Sequence, residues 1–189
     1  MYYDDYKKMN ENFESKVFFI IRDPRDLIVS RYFSNLYSHA EDEYIKKERN
    51  KLKLMTEKEA LIYMITLMDS MREYFNSMIE WKKASLIDRD VICIKYEDLI
   101  GEESNRCFKN IFSHLFLKVS DDELNNILIK NSFSNLSGRK QGVENQKHHY
   151  RKGISGDWVN YFEEIHKVIF KEIYGRELIE LGYEKDLNW

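Results

Sequence analysis

Apolar residues in this chain follow two patterns. Residues 17–21, Val-Phe-Phe-Ile-Ile, and residues 91–94, Val-Ile-Cys-Ile, are short unbroken apolar runs. Both are too short for a helix and rich in β-branched residues, so each predicts a strand buried on both faces of a parallel sheet. Elsewhere apolar positions recur every three or four residues, the spacing of one helix face. Leu27, Ile28, Tyr32, Phe33 and Leu36 form such a set directly after the first run. Leu61, Met64, Ile65, Met68, Met71, Phe75, Met78, Ile79 and Trp81 form the longest. This stripe predicts one continuous helix, opened by the capping-box pair Thr56 and Glu59 and packed on the sheet. Further helices are predicted around Ile111, around Leu124 (with Ser120 and Glu123 as a second capping box), and from residue 162 to Gly182. The polar N-terminal stretch, dotted with Tyr2, Tyr3, Tyr6 and Phe13, suits a short helix. Residues 40–53 are strongly charged and read as a surface loop or exposed helix end. Residues 131–146, rich in Ser, Asn and Gly, read as a loop.

Strand runs separated by helical stretches imply an α/β fold, a parallel sheet flanked by helices, in one domain over residues 1–189. With 43% hydrophobic residues and a single Pro, the chain has material for a real core. The net charge of −3, from 30 basic and 33 acidic residues, gives no general basic field for nucleic acid. Any phosphate binding must therefore be local. Two cysteines, Cys93 and Cys107, make no disulfide framework, and Cys93 within an apolar run suits a reducing, cytoplasmic setting. No apolar run reaches the length of a membrane span, and residues 1–5 do not read as a signal peptide. The five histidines and two cysteines fall into no metal-ligand spacing.

Chemistry concentrates where elements end. Asp23-Pro24 stops the first strand and opens a helix, since Asp caps well and Pro suits the first helical position. That leaves Arg22 at the strand's carboxyl end and Ser30 two turns along the helix, an arrangement suited to clamping a phosphate. The second strand ends in Lys95-Tyr96-Glu97-Asp98. Farther on, Arg151-Lys152-Gly153 sets two cations beside a glycine, whose backbone can approach an anion closely. Gly156-Asp157-Trp158 then opens another helical turn.

Arg22-Asp23-Pro24-Arg25-Asp26 with Ser30 resembles the 3′-phosphate-binding segment of the sulfotransferases that use 3′-phosphoadenosine 5′-phosphosulfate (PAPS). Residues 151–158 resemble the RKGxxGDW signature of the cytosolic-type members, and this is the most specific match. Tyr96 is similar to the tyrosine of a YED segment beside the nucleotide, and Ser132-Phe133 to a Ser-Phe segment whose ring stacks on adenine. The resemblance implies a P-loop-NTPase-like fold. It implies that Arg22, Ser30, Arg151, Lys152 and Gly153 hold the 3′-phosphate, with Phe133 or Trp158 against the adenine. It also implies PAPS as donor, adenosine 3′,5′-bisphosphate (PAP) as product, and a small-molecule hydroxyl or amine as acceptor.

The family's mechanism uses a histidine to take the acceptor proton and a lysine in a phosphosulfate loop to stabilise the leaving group. No PKSGTT-like loop occurs here, and His39 follows the first motif instead of preceding it, so no catalytic residue is assigned. The chain resembles the C-terminal two-thirds of such an enzyme, without the first strand, which is expected to leave an exposed sheet edge or apolar groove. Three readings stand: a sulfotransferase represented by a truncated or split chain, its missing segment expected upstream, an inactive 3′-phosphoadenosine-binding module, and a distant nucleotide kinase relative. The absence of a Walker glycine-rich loop weighs against the third.

Overall fold

The computed structural model describes residues 2–10 and 15–189, with no side chains described for residues 68–70. Phe13 and the Met68 side chain therefore lie outside the described residues. In chain order the elements are α1 (Tyr3–Met9), β1 (Val17–Ile21), α2 (Pro24–Phe33) running into a π-helical turn (Ser34–Ser38), α3 (Glu43–Leu52), α4 (Glu57–Thr66) and α5 (Met68–Ala84). There follow β2 (Val91–Lys95), α6 (Tyr96–Ile100), α7 (Ser104–His114), α8 (Asp121–Lys130), α9 (Phe133–Ser137), a 3-10 turn (Asp157–Asn160) and α10 (Glu164–Leu181).

The two apolar runs pair as neighbours in one parallel sheet, Val17 beside Val91 through Ile21 beside Lys95. Among the described residues the sheet has these two strands alone. Parallel pairing needs a long crossover, and residues 22–90 supply it as helices. Their apolar stripes meet α10 in a core that includes Ile28, Leu61, Met64, Phe75, Met78, Phe170, Tyr174 and Leu178. A smaller cluster of Tyr6, Trp81, Ala84 and Val91 packs beneath the sheet, where Phe19 stacks on Trp81 at 5.1 Å and 7°.

Four local expectations are corrected. The strand β1 is not buried on both faces: Phe18 and Ile20 are each 40% exposed. Alternate residues face opposite sides, and only the Phe19 side meets α5. The long methionine helix is two helices, broken at Leu67 (φ −69°, ψ 63°). There the Thr66 hydroxyl donates to the Tyr63 carbonyl at 2.9 Å, a local alternative to the helical ladder. The charged stretch after residue 40 is mostly exposed, but it is more than a loop or a helix end: it holds a full helix, α3. Asp42 caps it, accepting from the Ile45 N–H at 2.7 Å, and Ile45 and Leu52 point inward. Phe133 stands in the first turn of α9, not in a loop, because Ser132 caps that turn and Gly138 (φ +68°) ends it.

Candidate functional site

The carboxyl ends of both strands face one region, and it begins at the corner between β1 and α2. Asp23 caps α2, its side chain accepting from the Arg25 N–H at 2.8 Å. The Asp23 N–H donates to Glu97 Oε1 at 3.0 Å, and the Tyr183 hydroxyl donates to Glu97 Oε2 at 2.9 Å. Glu97, from α6 directly after β2, thus ties the end of β1 to the chain's C-terminal segment. Burial, and then the Glu97 charge, push the Tyr183 hydroxyl well above its ordinary pKa, so it remains a donor. Arg25 is structural. It pairs with Asp23 at 2.7 Å and Glu184 at 2.6 Å, and its guanidinium lies 4.0 Å from the Trp158 ring centre and 4.5 Å from that of Trp189.

Arg22 behaves differently. Its guanidinium lies over the Tyr96 ring at 4.6 Å. Its Nε is buried with no hydrogen-bond partner among the described residues. An unpartnered buried donor on a cation is costly unless a ligand completes it.

Beside Tyr96 opens an apolar cleft of about 510 Å³, walled by Ile20, Leu99, Phe108, Phe133 and Leu136 and rimmed by Ser132, Gln141 and Gly153. Four of the residues singled out in the sequence, Tyr96, Ser132, Phe133 and Gly153, therefore meet in one place. Gly153 is required there: its φ is +70°, and a Cβ would fall 2.2 Å from the Phe133 ring. The Gly153 carbonyl accepts from Gln141 Nε2 at 2.6 Å. Arg139 lies over the Phe133 ring at 5.3 Å and donates to the carbonyls of Val143 (2.6 Å), Arg151 (3.0 Å) and Tyr150.

Arg151 and Lys152 stand in the chain between the lining residues Tyr150 and Gly153, do not themselves line the cleft, and are already paired. Arg151 donates to Asp157 at 2.5 Å, to the Tyr161 hydroxyl at 2.9 Å and to Glu144, while Lys152 reaches Asp157 at 2.6 Å. Burial alone would raise the Asp157 pKa, but the hydrogen bonds from Lys152 and Arg151 hold it below the ordinary carboxylate value. The turn that follows is anchored by Asp26, only 2% exposed, which accepts from the backbone N–H groups of Gly156 at 2.6 Å and Trp158 at 2.9 Å. Burial raises the Asp26 pKa, opposed by these bonds and by the Arg22 charge. Trp158 is taken up in the stack on Arg25. Of the two aromatic candidates for adenine, Phe133 is therefore the one lining the cleft. Ser30 opens onto a second hollow of about 740 Å³, with His39 and His149 on its wall. His39 is exposed and its Nδ1 is bonded to the Ser34 hydroxyl.

With this geometry in view, comparison with known proteins is decisive about kinship. The sulfotransferase domain family matches residues 5–182. This chain belongs to that family. A flavonol sulfotransferase-like protein from Flaveria bidentis is 33% identical over 125 residues, covering 56% of this chain and 40% of that protein. Human sulfotransferase 2A1 is 24% identical over 182 residues, covering 90% of this chain and 59% of its own length. The crystal structure of mouse sulfotransferase SULT7A1, complexed with PAP, superposes with a TM-score of 0.68 at 22% identity over 94% of this chain and 63% of that one. The chain thus spans about three-fifths or less of the length of these relatives. Its fold is that of the sulfotransferases, which is P-loop-like, and membership of the family sets aside the kinase reading. No helix among the described residues is long and apolar enough to cross a membrane.

Sequence reading alone missed Asp26, Glu97, Arg139, Glu144 and Asp157 as parts of the site. Asp26, Glu97 and Asp157 sit inside the quoted motifs, and that position was the available signal. Arg139 and Glu144 lie in a segment with no regular pattern, and nothing in their spacing marks them.

Proposed function

We propose that this chain carries the 3′-phosphoadenosine-binding half of a cytoplasmic sulfotransferase, one that moves a sulfuryl group from PAPS to a hydroxyl or amine on a small molecule. The observation that carries this reading is the cleft at Tyr96, Phe133 and Gly153, with the unpartnered Nε of Arg22 beside it. The fit to the nucleotide is good on two counts. An adenine needs a flat apolar slot, and the cleft is walled by aromatic and aliphatic side chains. A 3′-phosphate needs charge-assisted donors, and Arg22 has one free. PAPS, when bound, supplies the sulfuryl group.

The protein's own residues have distinct parts in this reading. Phe133 and Tyr96 enclose the base and exclude water from it. Arg22, with Ser30, Arg151, Lys152 and the Gly153 backbone, neutralises and orients the 3′-phosphate. Such contacts act equally on ground and transition states, so they serve binding and alignment more than rate. The proton-accepting group and the acceptor pocket are not assigned to any residue.

Calorimetry tests the reading directly. PAP is expected to bind more tightly than ADP, because the cations gather on the 3′-phosphate. Arg22→Ala and Arg151→Ala should each weaken PAP by about 1.5–3 kcal/mol, the range for hydrogen bonds to charged groups. Equal affinity for PAP and ADP would overturn the site. A sulfuryl-transfer assay against a panel of acceptors then separates an active enzyme from a module that only binds.

A further inference from the structure

Three of the five N–H donors of the Arg151 guanidinium are already engaged. One terminal nitrogen donates to Glu144 and Tyr161, the other to Asp157, and its faces lie near the Phe33 ring (4.5 Å) and the Tyr161 ring (5.3 Å). The two carboxylates that hold it differ in kind. Asp157 has a side chain 1% exposed and heads a 3-10 turn. It is fixed further by Lys152 and by the Asn160 amide at 2.8 Å. Glu144 is 27% exposed, in a segment without regular structure between α9 and the 3-10 turn, and its other partner is the Tyr161 hydroxyl at 2.8 Å. A carboxylate on a guanidinium uses the same donor geometry as a phosphate.

We propose that Glu144 is an internal competitor for the 3′-phosphate: it occupies Arg151 in the free protein and gives way when a doubly charged phosphate arrives. This rests on the nucleotide-site reading above and deepens it. Asp157 stays as the fixed counter-ion that aims both cations, whereas Glu144 is the exchangeable one. A dianion outbids a single carboxylate for a cation, but part of its binding energy goes into releasing Glu144. Nucleotide binding is thereby weakened and made easier to reverse. The Tyr161 hydroxyl, bonded to both Arg151 and Glu144, passes to whichever acceptor is present.

Affinity for PAP and for adenosine 5′-monophosphate, which lacks the 3′-phosphate, separates the outcomes. Glu144→Gln should tighten PAP about two- to fivefold, the scale of a part-exposed ion pair, and leave the monophosphate unchanged. If Arg151→Ala weakens PAP while Glu144→Gln leaves it unchanged or weaker, the competitor idea is wrong and the site stands. If Arg151→Ala has no effect on PAP, the site reading itself falls, and this proposal with it. Equal tightening of both nucleotides would also overturn it, because the gain would not come from the 3′-phosphate.

Discussion

The two sides of the candidate site are built by different physics. The β1–α2 corner is held by backbone pairing to β2 and by side chains with essentially no exposure, such as Ile28 and Val29. The segment from Gly138 to Gly156 has no buried side chain, and its backbone pairing is sparse, with the Gly142 and Asn145 N–H groups donating to the Lys152 and Arg151 carbonyls at 2.9 Å each. Its shape comes from polar clamps: Arg139 on three carbonyls, Gln141 on Gly153, Asp26 on the Gly156 and Trp158 N–H groups, and Asp157 on two cations. Apolar burial is strong and non-directional, whereas clamps of this kind are individually modest and fix direction. The corner therefore supplies a rigid wall, and the loop supplies groups that can be rearranged one at a time. Ligand exchange at Arg151 belongs to the second side.

The largest expected effect falls on the corner. Ile28→Ala removes a fully buried side chain from the main core and should cost about 2–5 kcal/mol of global stability. Urea unfolding should show the loss as a shift in midpoint with an unchanged slope. A cost below about 1 kcal/mol would mean that the corner is not part of the principal core.

Gly153→Ala should hit the loop side instead. It forces a side chain into the left-handed region and against the Phe133 ring, a strain of about 1–3 kcal/mol. The strain is expected to be relieved locally, by moving Phe133 or the loop. PAP affinity should collapse, and amides of residues 139–156 should exchange faster, while those of β1 and β2 keep their protection. Hydrogen exchange that rose equally in both regions would erase the distinction between the two sides.

The same contrast explains what could be read from sequence. Both strands, their parallel pairing and the Asp23-Pro24 helix start were legible because burial and capping leave local patterns at fixed spacing. The meeting of Tyr96, Phe133 and Gly153 was legible only through family resemblance, since these residues are far apart in the chain. The exposure of Phe18 and Ile20 was not legible, because an unbroken apolar run does not say how many faces are covered. The break at Leu67 was hidden for a similar reason: apolar spacing continues across it, and the interruption depends on a threonine hydroxyl and one ψ angle. Glu144 and Arg139 were invisible because their partners are backbone carbonyls and a distant guanidinium, neither of which imposes a sequence period.

The smallest predicted effect concerns acid, and it sharpens the comparison within the loop's own clamps. Asp157 has a lowered pKa in the folded state. Its contribution is therefore in place above the ordinary carboxylate value of about 3.9 and is lost as pH falls through its lower folded value. Asp26 has a raised folded pKa, so its sign is opposite. Its contribution is greatest below the ordinary value and fades as pH rises through the folded one. The two carboxylates hold the same turn from either side, yet they pull its acid response in opposite directions. Apolar burial at the corner does not titrate and adds nothing to this slope. Thermal melts from acid to neutral pH should show it: Asp157→Asn should flatten the steep loss below about pH 4, and Asp26→Asn should flatten the shallower decline above it. If both substitutions changed the same limb, the opposed signs assigned to the two carboxylates would be wrong, and Asp26 would have to be read as a counter-ion to Arg22 instead of a buried anchor for the Gly156–Trp158 backbone.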